Sequence, residues 1–397
     1  MLPHPRWGIL ALLLAVTIIN FVDRQALSVL APFLRNHFQL SNTDYGIIVA
    51  CFQFGMMTGE FPMGWLADRK GARFTLSFAV AWWSLATGLH SLGRAMWHFA
   101  ALRFWLGTGE SANFSSAVKI VSQHFPAEER AFAVGIFNAG SMIGAMIAPP
   151  AIVFLTLRLG WQSGFLVPAA LGFAWVIAWR ALYRQSPTTQ AADTRPIGNA
   201  ELLRHSEVWG LILCRLLIGP VVQFYWYWTP EYLFRERGLS LQSIGLFAWI
   251  PFLFGDIGNI GGGWLSGYLM RRGASLSTAR RITMYGGSAL CLLSFAVPHA
   301  GSAALAIAAI CLVLLGHTCL SANFFARISD LSPEASVSRV TGLTGVAGGL
   351  SGMLFPLLTG RLVDHVSYTP VFLLAALMPL AGVLVLDTLS RRPSFHA

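Results

Sequence analysis

The hydrophobic positions of this chain fall into twelve long apolar runs, which are separated by short polar stretches. Each run is about as long as the ~20 residues that a helix needs to cross the hydrocarbon core of a bilayer. The pattern therefore predicts twelve membrane-spanning helices, at residues 7–33, 44–67, 74–93, 96–122, 130–156, 161–182, 208–233, 243–269, 280–298, 301–326, 339–361 and 369–388.

A polar stretch over residues 183–206 divides these runs into two sets of six. We therefore predict an N-terminal six-helix bundle over 1–182, a cytoplasmic linker over 183–206 and a C-terminal six-helix bundle over 207–397. Gly64-Trp65-Leu66 ends the second run and Gly263-Trp264-Leu265 ends the eighth, at the same place in each half. Duplicated bundles of this kind are typical of transporters, which place the substrate site between the repeats.

The composition excludes a water-soluble enzyme. Hydrophobic residues make up 55% of the chain and charged residues only 11%, whereas an ordinary globular protein is about 25% charged. The net charge of +10 could suggest a nucleic-acid partner. However, most of the 27 lysines and arginines fall in segments on one side of the predicted membrane. By the positive-inside rule, this bias places both termini in the cytoplasm, so the basic charge predicts orientation in a lipid bilayer and no nucleic-acid partner.

The sequence carries no signature of a metal or catalytic centre. Its five cysteines lie in apolar runs, without a CxxC motif or a Cys/His cluster at metal-ligand spacing. There is also no GxxxxGK[ST] phosphate loop, no HExxH motif and no evident Ser/His/Asp arrangement. We therefore predict neither an enzyme nor a nucleotide-driven pump.

Ionisable residues inside the predicted spans are the strongest functional signal, because each costs several kcal/mol in hydrocarbon unless it is paired or used. Asp23 and Arg24 share one face of the first helix with Asn20, and Arg103 and Glu110 share a stripe of the fourth with Asn113. Arg103 and Glu110 are about 10.5 Å apart along the helix axis, so we expect no close pair between them. Asp23 and Arg103 fall at similar depth and could pair across helices.

Two interpretations of these charges are open. In the first, Asp23 and Glu110 carry protons and Arg24 anchors an anionic substrate. Burial favours the neutral carboxyl group and a nearby arginine favours the charged one, so a substrate that occupies the arginine would load or release a proton. In the second, the charges only hold helices together. We favour the first interpretation, because two carboxylates and two arginines exceed what helix pairing needs.

Several further positions carry simpler expectations. Arg215 and Asp256 are expected at similar depth on consecutive helices, where an ion pair is the simpler role. Five glycines of the eleventh run are expected to form a small-residue face for close helix packing; they are Gly342, Gly345, Gly348, Gly349 and Gly352. The aromatic run 223–228 could stack on a sugar or mark a membrane interface. His317 is expected to be a packing residue.

The segment from Gly64 to Arg73 resembles the signature between the second and third helices of the major facilitator superfamily. By this resemblance, the following residues would form a cytoplasmic gating motif: Gly64, Asp68, Arg69, Gly71 and Arg73.

Two further segments, 20–24 and 103–114, resemble the anion:cation symporter family, and the chain is most similar to its hexuronate and galactonate branch. The resemblance implies that Asp23 and Glu110 are proton-coupling carboxylates, that Arg24 binds substrate and that Arg103 relays charge between them. Asn138, Ser141 and Asn323 are weaker candidates for contacts with sugar hydroxyls. The family often has tyrosine where this chain has Phe21, which leaves the particular sugar acid open.

We therefore expect a monomeric secondary transporter of the inner membrane that moves a small organic anion, a hexuronate or aldonate, together with protons by alternating access. Protons are the coupling ion, and no other cofactor is expected. Two alternatives stay open: an organic-anion exchanger or exporter that protons do not drive, and a nutrient sensor that does not transport.

Overall fold

The computed structural model describes residues 5–125, 127–183, 199–332 and 337–390, and within them the chain is almost entirely α-helical. The helices before residue 184 are α1 (Pro5–Phe38), α2 (Asn42–Lys70), α3 (Ala72–Leu89), α4 (Met96–Glu110), α5 (Ala112–His124), α6 (Ala127–Leu159) and α7 (Ser163–Leu182). The later helices are α8 (Asn199–Leu202), α9 (Ser206–Arg235), α10 (Leu241–Phe247), α11 (Ile250–Arg271), α12 (Leu276–Cys291), α13 (Ala303–Leu331), α14 (Val337–His365) and α15 (Thr369–Leu389). The all-helical prediction is confirmed.

Among the described residues, eight helical segments are long and apolar enough to cross a membrane: Arg6–Phe38, Ala133–Leu159, Ser163–Leu182, Ser206–Arg235, Leu241–Arg271, Ala303–Leu331, Val340–His365 and Thr369–Leu389. The fourth predicted run is instead divided at Ser111 into helices of 15 and 13 residues. Neither part reaches the length that spans a bilayer on its own. The eighth predicted run is interrupted before Pro251, whose nitrogen carries no hydrogen for the helical ladder.

The described residues form two compact units. Unit 1 contains the residues up to Tyr183 together with the segment Pro230–Trp249, and unit 2 contains the remaining described residues. The segment Pro230–Trp249 was expected in the C-terminal bundle, but it packs within unit 1. Most of the predicted linker, residues 184–198, lies outside the described residues.

The same packing device recurs in both units. In unit 1, α2 packs on α4 at Gly55, where a Cβ atom would overlap the carbonyl oxygen of Phe104. In unit 2, α11 packs on α13 at Gly258, where a Cβ atom would overlap the carbonyl oxygen of Leu315. Glycine thus allows the backbones of these helices to approach closely, as small residues do in membrane bundles.

A buried ion-pair network fastens the end of α9 to the end of α1 inside unit 1. Glu231 has a fully buried side chain that accepts hydrogen bonds from Arg35 and Arg235. The Arg35 side chain is only 3% exposed and also donates to Asn42 Oδ1 at 2.6 Å. Because the bonded residues are 196 positions apart, this network fixes a long-range contact that a sequence pattern does not predict.

Large apolar side chains cover much of the outside of both units, as lipid contact requires. On α7, for example, Ile177 is 73% exposed and Leu171 is 53% exposed. Unit 2 is held internally by a cluster of fully buried residues, which are Leu202, Val208, Leu211, Cys214, Ile218, Met284, Leu320, Phe324, Ile328, Val340, Val383 and Leu386.

Candidate functional site

An ion pair between α1 and α4 lies at the centre of the candidate site in unit 1. Arg24 donates from Nη2 to Glu110 Oε2 at 2.8 Å and from Nε to the same oxygen at 3.1 Å. The Glu110 side chain is fully buried and that of Arg24 is 13% exposed. Two residues predicted for different tasks, substrate binding and proton coupling, are therefore in direct contact.

Asp23 lies beside this pair and is also buried, with 1% exposure. The charges that act on it are those of Glu110 and Arg103, and the side chains of Trp83 and Thr87 on α3 face its carboxylate. Within the described part of the chain, neither carboxylate oxygen has a hydrogen-bond partner of ordinary geometry. Asp23 is thus a carboxylate held in the bundle interior by neighbours that do not fully satisfy it.

Arg103 donates a hydrogen bond from Nη1 to the carbonyl oxygen of Arg24 at 3.1 Å. The predicted similar depth left open a pair between Arg103 and Asp23. Among the described residues the charge of Arg103 acts on Asp23, but no hydrogen bond joins Arg103 to the Asp23 carboxylate. Arg103 instead binds the backbone of α1 at the residue whose side chain holds Glu110. The expectation that Arg103 would not pair closely with Glu110 agrees with this geometry.

Aromatic rings flank both arginines. The guanidinium carbon of Arg24 lies 4.5 Å from the ring centre of Phe21 and 5.1 Å from that of Phe52, and that of Arg103 lies 5.7 Å from Phe52. A ring face attracts a cation and so offsets part of the cost of burying it. Sequence reasoning missed Phe52 and Trp83. Phe52 lies three residues before Gly55, at which α2 packs on α4. This helical spacing from a small residue was the sequence signal that could have indicated Phe52 as a neighbour of the site.

The helices that carry the site also pack through glycine. A Cβ atom at Gly107 would overlap the carbonyl oxygen of Phe52, so glycine allows α4 to lie directly against α2. Gly140 and Gly144 of α6 face the α1 backbone at Leu14 and Ile18 in the same way. The polar stripes of α1 and α4 are therefore held together by close backbone packing.

The candidates for sugar hydroxyls lie in different surroundings. On α6, Asn138 is exposed, and Ser141 is buried and donates to the carbonyl oxygen of Asn138 at 2.7 Å. In unit 2, Asn323 is fully buried and donates to the carbonyl oxygens of Gly262 and Cys319 at 3.1 and 3.0 Å. A sugar contact at Asn323 stays a prediction that this geometry does not favour, because the amide already joins two helices.

The predicted gating motif lies at the junction of α2 and α3. Gly71 adopts a φ of +80°, which favours glycine and allows the sharp turn between the helices. Arg69 lies over the Trp65 ring at 4.5 Å, and Arg73 donates to the carbonyl oxygen of Arg180 at 2.8 Å. Gly64 is half-buried within α2, and the side chain of Asp68 lies outside the described residues.

Tyr183 follows α7 next to this junction and stacks on Trp179, with ring centres 4.2 Å apart. The phenol is 1% exposed. Burial raises its pKa to about 12, against the opposing effect of the Arg73 charge. Tyr183 therefore stays protonated at physiological pH.

One expectation for unit 2 is wrong. Among the described residues, Arg215 and Asp256 form no ion pair, and they lie at different distances from the helix ends from which a common depth was predicted. Arg215 is about 13 Å from the start of α9 at Ser206, whereas Asp256 is about 22 Å from the end of α11 at Arg271.

The glycine face of α14 packs closely on another helix over only part of its length. A Cβ atom at Gly219 of α9 would lie 3.6 Å from the Cα atom of Gly348. A Cβ atom at Gly342 or Gly345 would meet nothing within 4 Å. At Gly348 it would meet the side chain of Arg215, and at Gly352 that of Gln223. The face therefore gives space to polar side chains of α9.

The aromatic run of α9 packs inside unit 2 instead of presenting open ring faces. Phe224, Tyr225 and Trp228 are each at most 3% exposed, and the Tyr225 hydroxyl donates to Ser294 Oγ at 2.7 Å. His317 hydrogen-bonds through Nε2 to the carbonyl oxygen of Ile218 at 2.8 Å, in keeping with a packing residue.

Comparison with known proteins agrees with this architecture. The chain is 30% identical to the hexuronate transporter of Escherichia coli (strain K12), over 98% of this chain and 95% of that protein. It is also 30% identical to the hexuronate transporter of Bacillus subtilis (strain 168), over 90% and 88%. It is 28% identical to a protein of Escherichia coli (strain K12) named "Probable galactarate/D-glucarate transporter", over 91% and 89%.

Solved structures show the same fold. The crystal structure of a D-xylose-proton symporter matches 98% of this chain and 98% of that chain, with a TM-score of 0.77 and 14% sequence identity. A bacterial homologue of the lysosomal transporter Spinster, inward-facing and occupied, matches 98% and 96% with a TM-score of 0.76 and 18% identity. Residues 13–356 match the family Major Facilitator Superfamily. The chain therefore belongs to the major facilitator superfamily, whose members related to it here are membrane transporters of sugar acids and not enzymes.

Proposed function

We propose that this protein is a proton-coupled symporter of a sugar acid, a hexuronate or aldonate, which works by alternating access in the inner membrane. It would act as a monomer with twelve spans and both termini in the cytoplasm, and protons would be the coupling ion. The hexuronate and galactarate transporters among its relatives support the substrate class.

The observation that carries this proposal is the ion pair between Arg24 and Glu110 in the interior of unit 1. A substrate carboxylate offers the same two oxygens that Glu110 offers, so it can compete for the guanidinium of Arg24. Glu110 then loses its counter-charge while it stays buried, and taking up a proton relieves that cost. One arginine exchanged between two carboxylates would thus link substrate binding to proton binding.

Asp23 would be the second proton carrier, because the charges of Arg103 and Glu110 both act on it. Arg103 holds the α1 backbone at Arg24. A shift of Arg103 would therefore change the surroundings of Asp23 and of the Arg24–Glu110 pair together. Asn138 and Ser141 on α6 are proposed to contact sugar hydroxyls.

The test is uptake of glucuronate into proteoliposomes under an imposed pH gradient. Glu110→Gln keeps the size of the side chain but cannot release a proton, so it should abolish uptake driven by the gradient while exchange of internal for external substrate continues. Glu201→Gln, which changes an exposed carboxylate, should leave both rates unchanged. If Glu110→Gln still follows the pH gradient, its assignment is wrong.

The wild-type protein also separates the alternatives. Exchange that ignores the pH gradient would favour an anion exchanger or exporter. Binding without any uptake would favour a sensor.

A further inference from the structure

In unit 2, α11 carries a stripe of exposed apolar side chains that leads to two arginines at the end of the helix. Ile257, Ile260 and Trp264 are 49%, 75% and 62% exposed. With 3.6 residues per turn, Arg271 falls on the same face of the helix as these three side chains, and it is exposed as well. On a helix that is long and apolar enough to cross a membrane, an exposed apolar stripe indicates the side that contacts lipid. Arg271 therefore lies about 10 Å beyond Trp264 on the lipid side of α11.

Two stacked rings and a guanidinium group occupy the end of this stripe. The rings of Trp264 and Tyr268 have centres 5.4 Å apart and planes 15° apart. The guanidinium carbon of Arg272 lies 5.2 Å from the ring centre of Tyr268, a placement that attracts a cation. Gly273 follows with a φ of +94°, which favours glycine and ends the helix. Tryptophan and tyrosine at the end of a span are typical of the membrane–water interface, so we expect both arginines at the level of the lipid headgroups.

Neither of these two arginines has an acidic partner in the described part of the chain. The ion pairs of unit 2 in that part join Arg280 to Asp330 and Arg281 to Asp387. The sequence contains no aspartate or glutamate between Asp256 and Asp330. Two of the four arginines around the turn between α11 and α12 are thus paired, and the two at the end of α11 keep a positive charge that no described carboxylate offsets.

The matching position of unit 1 shows why an acid is missing here. The segments Gly64-Trp65-Leu66 and Gly263-Trp264-Leu265 align the two halves, and the same alignment sets Asp68 against Gly267. Arg271 Nη1 lies 3.5 Å from the Cβ position of Gly267. Unit 2 therefore has glycine where unit 1 has a carboxylate, and an arginine lies directly beside that position.

We propose that Arg271, Arg272 and Trp264 form a binding site for an anionic phospholipid, whose phosphate binds the two arginines and whose acyl chains lie along the apolar stripe of α11. Clustered arginines next to a span attract anionic lipids, and guanidinium groups bind phosphate through paired N–H donors. A free phosphate ion would use the arginines but not the exposed indole ring or the isoleucines before it, and this favours a lipid as the ligand. The site lies within unit 2 and does not depend on which anion the protein transports.

The test measures the first lipid bound to the purified full-length protein in detergent by native mass spectrometry, with phosphatidylglycerol and phosphatidylcholine as probes. Wild-type protein should prefer phosphatidylglycerol. The double variant Arg271→Gln with Arg272→Gln should bind phosphatidylglycerol about 30-fold more weakly, because each arginine near an anionic headgroup contributes about fivefold. Its binding of phosphatidylcholine should stay within about twofold of wild type, a change too small to reflect a lost charge contact. Equal weakening of both lipids, or an unchanged preference for phosphatidylglycerol, would overturn the proposal.

Matched variants separate the two arginines from positive charge in general. Arg361→Gln removes the same charge from an exposed position of α14 in the same unit, and it should change the binding of neither lipid. Arg271→Lys with Arg272→Lys keeps both charges and should retain most of the preference for phosphatidylglycerol. If Arg361→Gln weakened phosphatidylglycerol binding as much as the double glutamine variant, the assignment to α11 would be wrong.

Competition with inorganic phosphate separates a lipid from a free anion. A tenfold excess of inorganic phosphate over phosphatidylglycerol should leave the lipid bound, because the ion gains no contact with Trp264 or the apolar stripe. Displacement of the lipid by phosphate would show a free-phosphate site and would overturn the lipid assignment.

Salt dependence tests the site in the wild-type protein, where no substitution can affect folding. Raising the concentration of ammonium acetate from about 0.1 M to about 1 M shortens the screening length from about 10 Å to about 3 Å. Because both arginines are exposed, binding of phosphatidylglycerol should then fall towards that of phosphatidylcholine. A preference for phosphatidylglycerol that salt does not reduce would contradict the proposed site.

Discussion

The buried ion pair between Arg35 and Glu231 should be one of the largest single contributions to the stability of unit 1. Glu231→Gln removes the charge from a fully buried side chain and leaves Arg35, which is 3% exposed, without its counter-ion. Breaking such a pair from one side costs about 3–5 kcal/mol. Arg35 keeps its hydrogen bond to Asn42, so we expect the lower part of this range. Arg235 is 37% exposed and adds at most about 1 kcal/mol.

The assay is equilibrium unfolding in mixed micelles, with SDS as the denaturant, followed by tryptophan fluorescence. Glu236→Gln, an exposed neighbour on the same segment, should change the unfolding free energy by less than about 0.5 kcal/mol.

A double variant separates the ion pair from mere packing. Arg35→Met with Glu231→Leu replaces both charges by apolar groups, and such replacements are often neutral. The double variant should therefore unfold within about 1–2 kcal/mol of wild type, closer than Glu231→Gln alone. A loss below about 1 kcal/mol for Glu231→Gln, or a double variant less stable than that single one, would refute this reasoning.

Two further predictions concern packing and alkaline stability. Gly107→Ala should lower the unfolding free energy by about 1–3 kcal/mol, because the added methyl group overlaps the Phe52 carbonyl oxygen. Gly135→Ala should not lower it, since nothing lies within 4 Å of the Cβ position of Gly135. Unfolding of the two variants in mixed micelles checks this prediction. Burial favours the neutral phenol of Tyr183 and raises its pKa in the folded protein to about 12. The stability that this contributes is complete below the pKa of about 10 in the unfolded chain and is lost as pH rises through 12. Tyr183→Phe should therefore lose less stability than wild type between these two pH values, and an identical decline in the two proteins would count against it.

The sequence predicted the helical class and the polar stripes of the candidate site, because both follow from local spacing. Asp23 and Arg24 share a face of one helix whatever the fold. The partners of these residues do not follow from spacing, since they depend on how α1 crosses α4. That crossing is set by glycine contacts such as Gly107 on Phe52, and it brings Arg24 to Glu110 while Arg103 reaches a backbone oxygen.

The wrong predictions came from using the position of a residue along a helix as a measure of its depth in the membrane or of the contacts of its side chain. Arg215 and Asp256 were placed at one depth, although Asp256 lies 13 residues, about 20 Å, before the end of its predicted run at 269, and Arg215 lies only about 10 Å after the start of its own run at 208. The glycines of α14 were assigned to close helix packing alone, although Gly348 and Gly352 also make space for the side chains of Arg215 and Gln223. Asn323 was assigned to substrate because it is polar, and only its three-dimensional neighbours reveal its contacts between helices.

The two faces of α14 should also diverge at different rates among close relatives of this protein. On one face, Leu350, Leu354 and Leu358 are exposed apolar side chains, so one bulky apolar residue can replace another there with little selection against it. Gly348 is different, because its missing side chain leaves the space in which Arg215 lies. Where a lineage loses the arginine, the glycine is released as well, and the two positions should therefore change as a pair.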